Sequence, residues 1–137
     1  MKQARGIRNN NPLNIRRGCD WQGMSETQTD PAFIQFKTMQ YGLRAGLKLM
    51  RNHISGFGGK RPRCNTITKL IHVWAPPTEN ATTRYIDFVA QYVNLQPSDI
   101  ILENDQKTIC NIARAMAFVE CGEWIDISKF ESAYFLI

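Results

Sequence analysis

The sequence has 137 residues, with 17 Lys and Arg against 12 Asp and Glu for a formal net charge of +5, and it is 43% apolar and 21% charged. That balance is expected of one compact domain spanning residues 1–137, which at this size buries roughly two-thirds of its unfolded surface and folds without metal or disulfides. No apolar run approaches the ~20 residues of a bilayer span, and the opening MKQARGIRNNN has charge but no hydrophobic segment, which speaks against transmembrane and conventionally secreted classes.

From Met1 to Lys37 the chain reads as loop, with a short strand or hairpin around Phe33-Ile34-Gln35-Phe36. Leu43, Leu47, Met50 and Ile54 then recur at helical spacing until the Gly56-Phe57-Gly58-Gly59 segment must end the helix. Ile67, Leu70, Ile71 and Trp74 make a second stripe, closed by Pro76-Pro77, which cannot continue the hydrogen-bond ladder. Thr82 or Thr83 can cap a third helix carrying Tyr85, Phe88, Val89 and Tyr92, ending before Pro97. A fourth runs from an Asp105 cap through Ile109, Ile112, Ala113 and Met116 to Gly122, and Ser128 with Glu131 makes a capping box for a last helix with Phe130, Ala133 and Tyr134. The fold is therefore mainly α, about five helices with a short β-hairpin.

Cys19, Cys64, Cys110 and Cys121 are scattered without a C-x-x-C pair, and only His53 and His72 could join them. No metal site and no cofactor is expected, and the thiols read as reduced. Basic residues cluster at Lys2, Arg5, Arg8, Arg16 and Arg17 and again at Arg51, Lys60, Arg61 and Arg63. Such a surface favours polyanions, nucleic acid or the anionic cell wall, or is simply solvated.

One acid falls on an apolar face. Advancing about 100° per residue from Ile109, Glu120 lies at about 20°, inside the stripe of Ile112, Ala113 and Met116. Desolvation on such a face favours the neutral carboxyl, which is what a proton donor to a leaving group requires. The alternative is a frayed helix end in which Glu120 bends to solvent or pairs with an Arg. Glu26 and Asp30 sit in SETQTD, where turn formation and capping account for them, and Glu79 precedes a helix, where a carboxylate at the positive dipole end is ordinary. Glu123 and Asp126 read as surface.

The tract RGIRNNNPLNIR favours a fixed, hydrogen-bonding loop. The amides of Asn10, Asn11 and Asn14, with Trp21 nearby, suit neutral polar groups such as sugar hydroxyls and acetamides, or else tie the loop to its own backbone. Trp21, Tyr41, Trp74, Tyr85 and Trp124 offer rings for stacking, although Trp74 and Tyr85 belong to apolar stripes and read first as core.

Taken together, RGIRNNNPLNIR, Trp21-Gln22-Gly23, Gln28-Thr29-Asp30, Tyr41-Gly42-Leu43-Arg44-Ala45 and Trp74 to Asn80 resemble, in order and over nearly the whole chain, a phage and prophage family. Its members are described as virion structural proteins and are similar to peptidoglycan-degrading lysins. Leu13 departs from the Gly expected after Asn-Asn-Pro. A more distant resemblance is to lysozyme-like bacterial glucosaminidases and lytic transglycosylases, whose catalytic Glu ends a helix and is followed by an Asn-rich loop, a Trp-x-Gly and a hairpin with a second acid. Here the parts stand in rotated order, as circular permutation would leave them: the loop at Asn10 to Ile15, Trp21-Gln22-Gly23, an acid at Glu26 or Asp30, and Glu120-Cys121-Gly122 near the C-terminus.

The resemblance implies a lysozyme-like fold and an enzyme that cuts the β-1,4 glycan strands of peptidoglycan by hydrolysis or transglycosylation; a monomer is expected. Glu120 would be the general acid, Asp30 or Glu26 a second carboxylate, and Asn10, Asn11, Asn14, Trp21 and Tyr41 the sugar subsites. Made in the cytoplasm without a signal segment, it would reach the wall through a holin pore, a virion or a secretion system. A non-catalytic virion or wall-binding protein of the same fold is the rival. Nucleic-acid binding rests on charge alone, since no recognised binding motif is present.

Overall fold

A computed structural model of the chain describes residues 3–75 and 79–137, of residues 79 and 80 the backbone only. Among the described residues there are six helices: α1 (Arg5–Arg8), α2 (Met39–Gly59), α3 (Ile67–Trp74), α4 (Glu79–Val93), α5 (Gln106–Cys121) and α6 (Ile127–Tyr134). The chain is mainly helical, and none of these helices is long and apolar enough to cross a membrane.

α1 is a single turn inside the tract expected to be loop, too short to display any periodic stripe. α2 opens on Thr38, whose side chain accepts from the Tyr41 amide at 3.3 Å, and buries Leu43, Leu47, Met50 and Ile54. Its regular part ends where Gly56, Phe57 and Gly58 turn left-handed, at φ 65°, 54° and 72°. α3 is capped by Thr66 and buries Ile67, Leu70 and Ile71. The expected closure at Pro76-Pro77 lies outside the described residues.

α4 begins at Glu79, ahead of the expected cap, so Thr82 and Thr83 lie inside the helix and Thr82 is buried rather than capping. α5 follows its Asp105 cap, buries Ile109, Ile112, Ala113 and Met116, and stops at Gly122 with φ 73°, where only a glycine sits without steric cost. The cap of α6 is Asp126 in place of Ser128. Asp126 precedes the helix and accepts from the Ser128 amide at 2.9 Å, so the hydroxyl at position 128 falls within the first turn.

The main core joins α2, α3, α4, α5 and α6 through residues such as Leu47, Ile71, Val89, Ile112 and Phe130. A smaller cluster of Ile15, Ile34, Phe36 and Ala45, flanked by Trp21 and Tyr41, seats residues 9–36 on α2. Residues 33–36 are not a hairpin among the described residues; they form two isolated antiparallel bridges, Arg16 with Phe33 and Met24 with Phe36. Two of the carbonyls in this segment are taken by side-chain amides, Ile34 O by Asn11 and Phe36 O by Asn10, whereas Gln35 O accepts from the Ser25 amide as well as from Gln28.

Candidate active site

The last turn of α5 and the asparagine loop meet, although 106 positions separate them. Nδ2 of Asn14 donates to Oε1 of the half-buried Glu120 at 3.0 Å. The next residue reinforces the joint, for the Cys121 thiol donates to Pro12 O at 3.1 Å. From the other side, Nε1 of Trp74 donates to Leu13 O at 2.9 Å. Three consecutive loop residues are thus held by two helices, which fixes a segment whose own backbone bonding is sparse. Leu13, in place of the expected glycine, is fully buried against Gly46, where the missing side chain of α2 makes its room.

Gly6 in α1 is what lets the joint close. A Cβ there would lie 2.5 Å from Cys121 Sγ and 2.9 Å from both Asn11 O and Asn14 Oδ1. On the α4 side stands Tyr85, buried, its hydroxyl donating to Met116 O at 3.4 Å. Burial first, and then the nearby Glu120 charge, hold this phenol well above its ordinary value, so it stays protonated next to the acid.

A groove of about 200 Å³ opens beside Asn14, lined also by Trp21, His53, Val73 and Trp74, with Arg16 and Arg17 on the wall nearest the loop. His53 meets Trp74 and Phe57 edge-on at 6.2 and 5.1 Å. Burial, with the Arg61 charge second, pushes its imidazole below the ordinary value, so near neutral pH the ring is uncharged. The groove therefore combines an aromatic, uncharged face of Trp21, His53 and Trp74, suited to the apolar face of a sugar, with the cationic Arg16 and Arg17.

The other acids expected at the site are placed differently. Asp30 is buried and receives five hydrogen bonds, two from Arg5 and one each from Asn9 Nδ2 and the amides of Ala32 and Phe33. The Arg5 guanidinium above all holds its carboxyl well below the usual range, against a desolvation that works the other way. Glu26 is exposed.

Of the other expected sugar ligands, Asn10 is left-handed at φ 53° and donates to Phe36 O, while Asn11 is fully buried, donating to Ile15 O and Ile34 O and accepting from Ile15 N. The Tyr41 ring fills the space over Gly23, whose φ is 81°. Trp21 packs on the smaller cluster and faces the groove. Three participants had no distinct signal in the sequence: Asn9, which looks like its neighbours, Arg5, one of many basic residues, and Gly6. Among the described residues no group of three or more His, Cys, Asp or Glu is placed to hold a metal ion.

No family model matches the sequence. Over 123 residues the chain is 45% identical to Protein P5 of Pseudoalteromonas phage PM2, an alignment covering 87% of this chain and 72% of P5. The chain belongs to the phage P5 family. The kinship supports a phage origin, as the resemblance over nearly the whole chain implies.

Proposed function

We propose that this P5-family protein cleaves the glycan strands of peptidoglycan on a lysozyme-like, circularly permuted fold, with Glu120 as general acid. One observation carries the reading: the carboxyl that ends α5 is bonded to Asn14 of the loop that lines the tryptophan-walled groove. In the reaction Glu120 gives its proton to the glycosidic oxygen, the C1–O bond breaks with its electron pair going to that oxygen, and the positive charge left at C1 is captured by an oxygen nucleophile. Proton donation of this kind contributes typically 10²–10⁴-fold.

The environment of Asp30 favours a single-acid route. A carboxylate occupied by Arg5, Asn9 and two backbone amides has little basicity left to activate water. A hydroxyl of the same sugar is then the nucleophile. It loses its proton to the Glu120 carboxylate as it closes on C1, which returns the acid to its starting state and leaves an anhydro end.

The test is mass spectrometry of sacculi after digestion, with wild type and Glu120→Gln. Anhydro ends released by wild type and lost with the substitution are expected. Release at the native rate from Glu120→Gln removes the acid from the mechanism, and a wild type that binds sacculi without releasing fragments makes the protein a wall-binding module instead.

A further inference from the structure

Asn14 carries two costs that a residue merely filling a loop avoids. Its backbone is left-handed, at φ 52°, and its side-chain oxygen is buried without a hydrogen-bond partner. Native structures retain such features mainly where they serve a function. The opposite end of the same amide is the end in use, Nδ2 donating to Oε1 of Glu120.

The surroundings keep the residue in that pose. Its own amide donates to Asn11 O at 3.0 Å, and the two preceding carbonyls are taken by Cys121 and Trp74. Gly6 leaves just the room that Oδ1 occupies.

We propose that Asn14 is a positioning residue, which assigns the labile proton of Glu120 to Oε2 by occupying Oε1 with an N–H donor. The proposal rests on the general-acid reading above. In a neutral carboxyl the oxygen that accepts from an N–H is the carbonyl oxygen, so the proton resides on the other. Were the amide turned over, Oδ1 would face Oε1 as acceptor against acceptor. That contact is tolerable only with the proton on Oε1, directed at Asn14 and not free to reach a glycosidic oxygen. The orphaned Oδ1 is what the held orientation leaves behind. Asn14 thus acts through Glu120, whereas a sugar ligand would act through affinity.

The experiment compares Asn14→Gly and Asn14→Asp with wild type and Glu120→Gln in muropeptide release. Glycine adopts φ 52° without steric cost and has no side-chain amide, so Asn14→Gly still folds, with a melting temperature only modestly below wild type, while kcat falls roughly ten- to a hundredfold at unchanged KM. Asn14→Asp keeps the shape but replaces a donor by an acceptor, and falls at least as far. The Asn14 side-chain amide resonance shifts in Glu120→Ala. Full kcat in Asn14→Gly alongside a dead Glu120→Gln overturns the positioning role alone. A raised KM with kcat retained makes Asn14 a sugar ligand and also overturns it, as does an amide resonance unmoved in Glu120→Ala. Full release from Glu120→Gln instead overturns the general-acid reading, whatever Asn14 does.

Discussion

The Arg5 guanidinium grips Asp30 through two parallel hydrogen bonds, 2.6 Å from Nε to Oδ2 and 2.5 Å from Nη2 to Oδ1, and through this carboxylate closes the N-terminal loop on itself. Among the described residues it is the one ion pair. Its electrostatics make a pH prediction. The folded Asp30 carboxyl is held below its ordinary value of 3.8, first by Arg5 and then by the Phe33, Asn9 and Ala32 donors. A depressed folded value means that the stabilisation is fully present above the unfolded value and is lost progressively as pH falls from there through the folded value. Thermal melts followed by circular dichroism should show wild type beginning to lose its advantage over Asp30→Asn below roughly pH 5 and losing steadily more of it down to the lowest pH at which the protein stays folded. Parallel curves for the two proteins across that range would exclude the pair as a source of acid sensitivity.

α2 approaches the asparagine loop most closely at Gly42, where a Cβ would land on the carbonyl of Asn10. Alanine is ordinarily better than glycine inside a helix by about 1 kcal/mol. Here the overlap is with backbone, which cannot rotate away, so Gly42→Ala is expected to cost a net 1–3 kcal/mol, roughly the range for overpacked sites. Urea unfolding measures it, and a midpoint at or above wild type would mean that the loop and α2 are not in this contact.

What could be read from the sequence was what depends on neighbours along the chain. Ile109, Ile112, Ala113 and Met116 repeat within one helix, so their common burial, the Asp105 cap and the left-handed Gly122 follow from local geometry. The face on which Glu120 lies was readable for the same reason. α1 was not, because four residues are too few for periodicity, and the cap of α6 moved two places, to Asp126, because Asp and Ser serve equally well there. The hairpin expected at residues 33–36 gave way to isolated bridges where asparagine amides from the N-terminal loop took the Ile34 and Phe36 carbonyls. Such tertiary competition leaves no local trace. Nor could the order of the chain reveal that, of four asparagines in one tract, Asn14 reaches an acid 106 residues on while Asn11 is consumed by its own loop.

The four cysteines should separate by reactivity. Burial, helped by the Glu120 and Glu123 charges, pushes the Cys121 thiol up to about 12, and burial with the Glu131 charge pushes Cys110 up to about 11, whereas Cys19 is exposed and Cys64 half-buried. The thiolate is the nucleophile, so raised and buried thiols are doubly protected. Iodoacetamide at neutral pH, followed by peptide mass spectrometry, should modify Cys19 first and Cys64 more slowly, leaving Cys110 and Cys121 intact until denaturant is added. Early loss of Cys121 would show that the joint between α5 and the Pro12 carbonyl opens in solution.

Asn11 supplies the sharpest test of what the asparagine tract is for, because a structural and a sugar-binding role predict opposite results there. Its side chain is 0% exposed and accepts from Ile15 N at 2.9 Å while donating to Ile34 O at 2.9 Å and Ile15 O at 3.0 Å. Ile15 O also receives the Ile34 amide, so Asn11→Ala orphans chiefly Ile15 N and Ile34 O. At about 1–3 kcal/mol for each buried group left unsatisfied, Asn11→Ala is expected to lose roughly 2–6 kcal/mol of stability. Sugar affinity of the molecules that remain folded should be unchanged, since no polar atom of the side chain is free to meet a ligand. Denaturant unfolding and calorimetric titration with a chitooligosaccharide read the two quantities separately. A stable Asn11→Ala protein with weakened sugar binding would reverse the assignment, turning the buried amide into a subsite and requiring the loop to open before substrate enters.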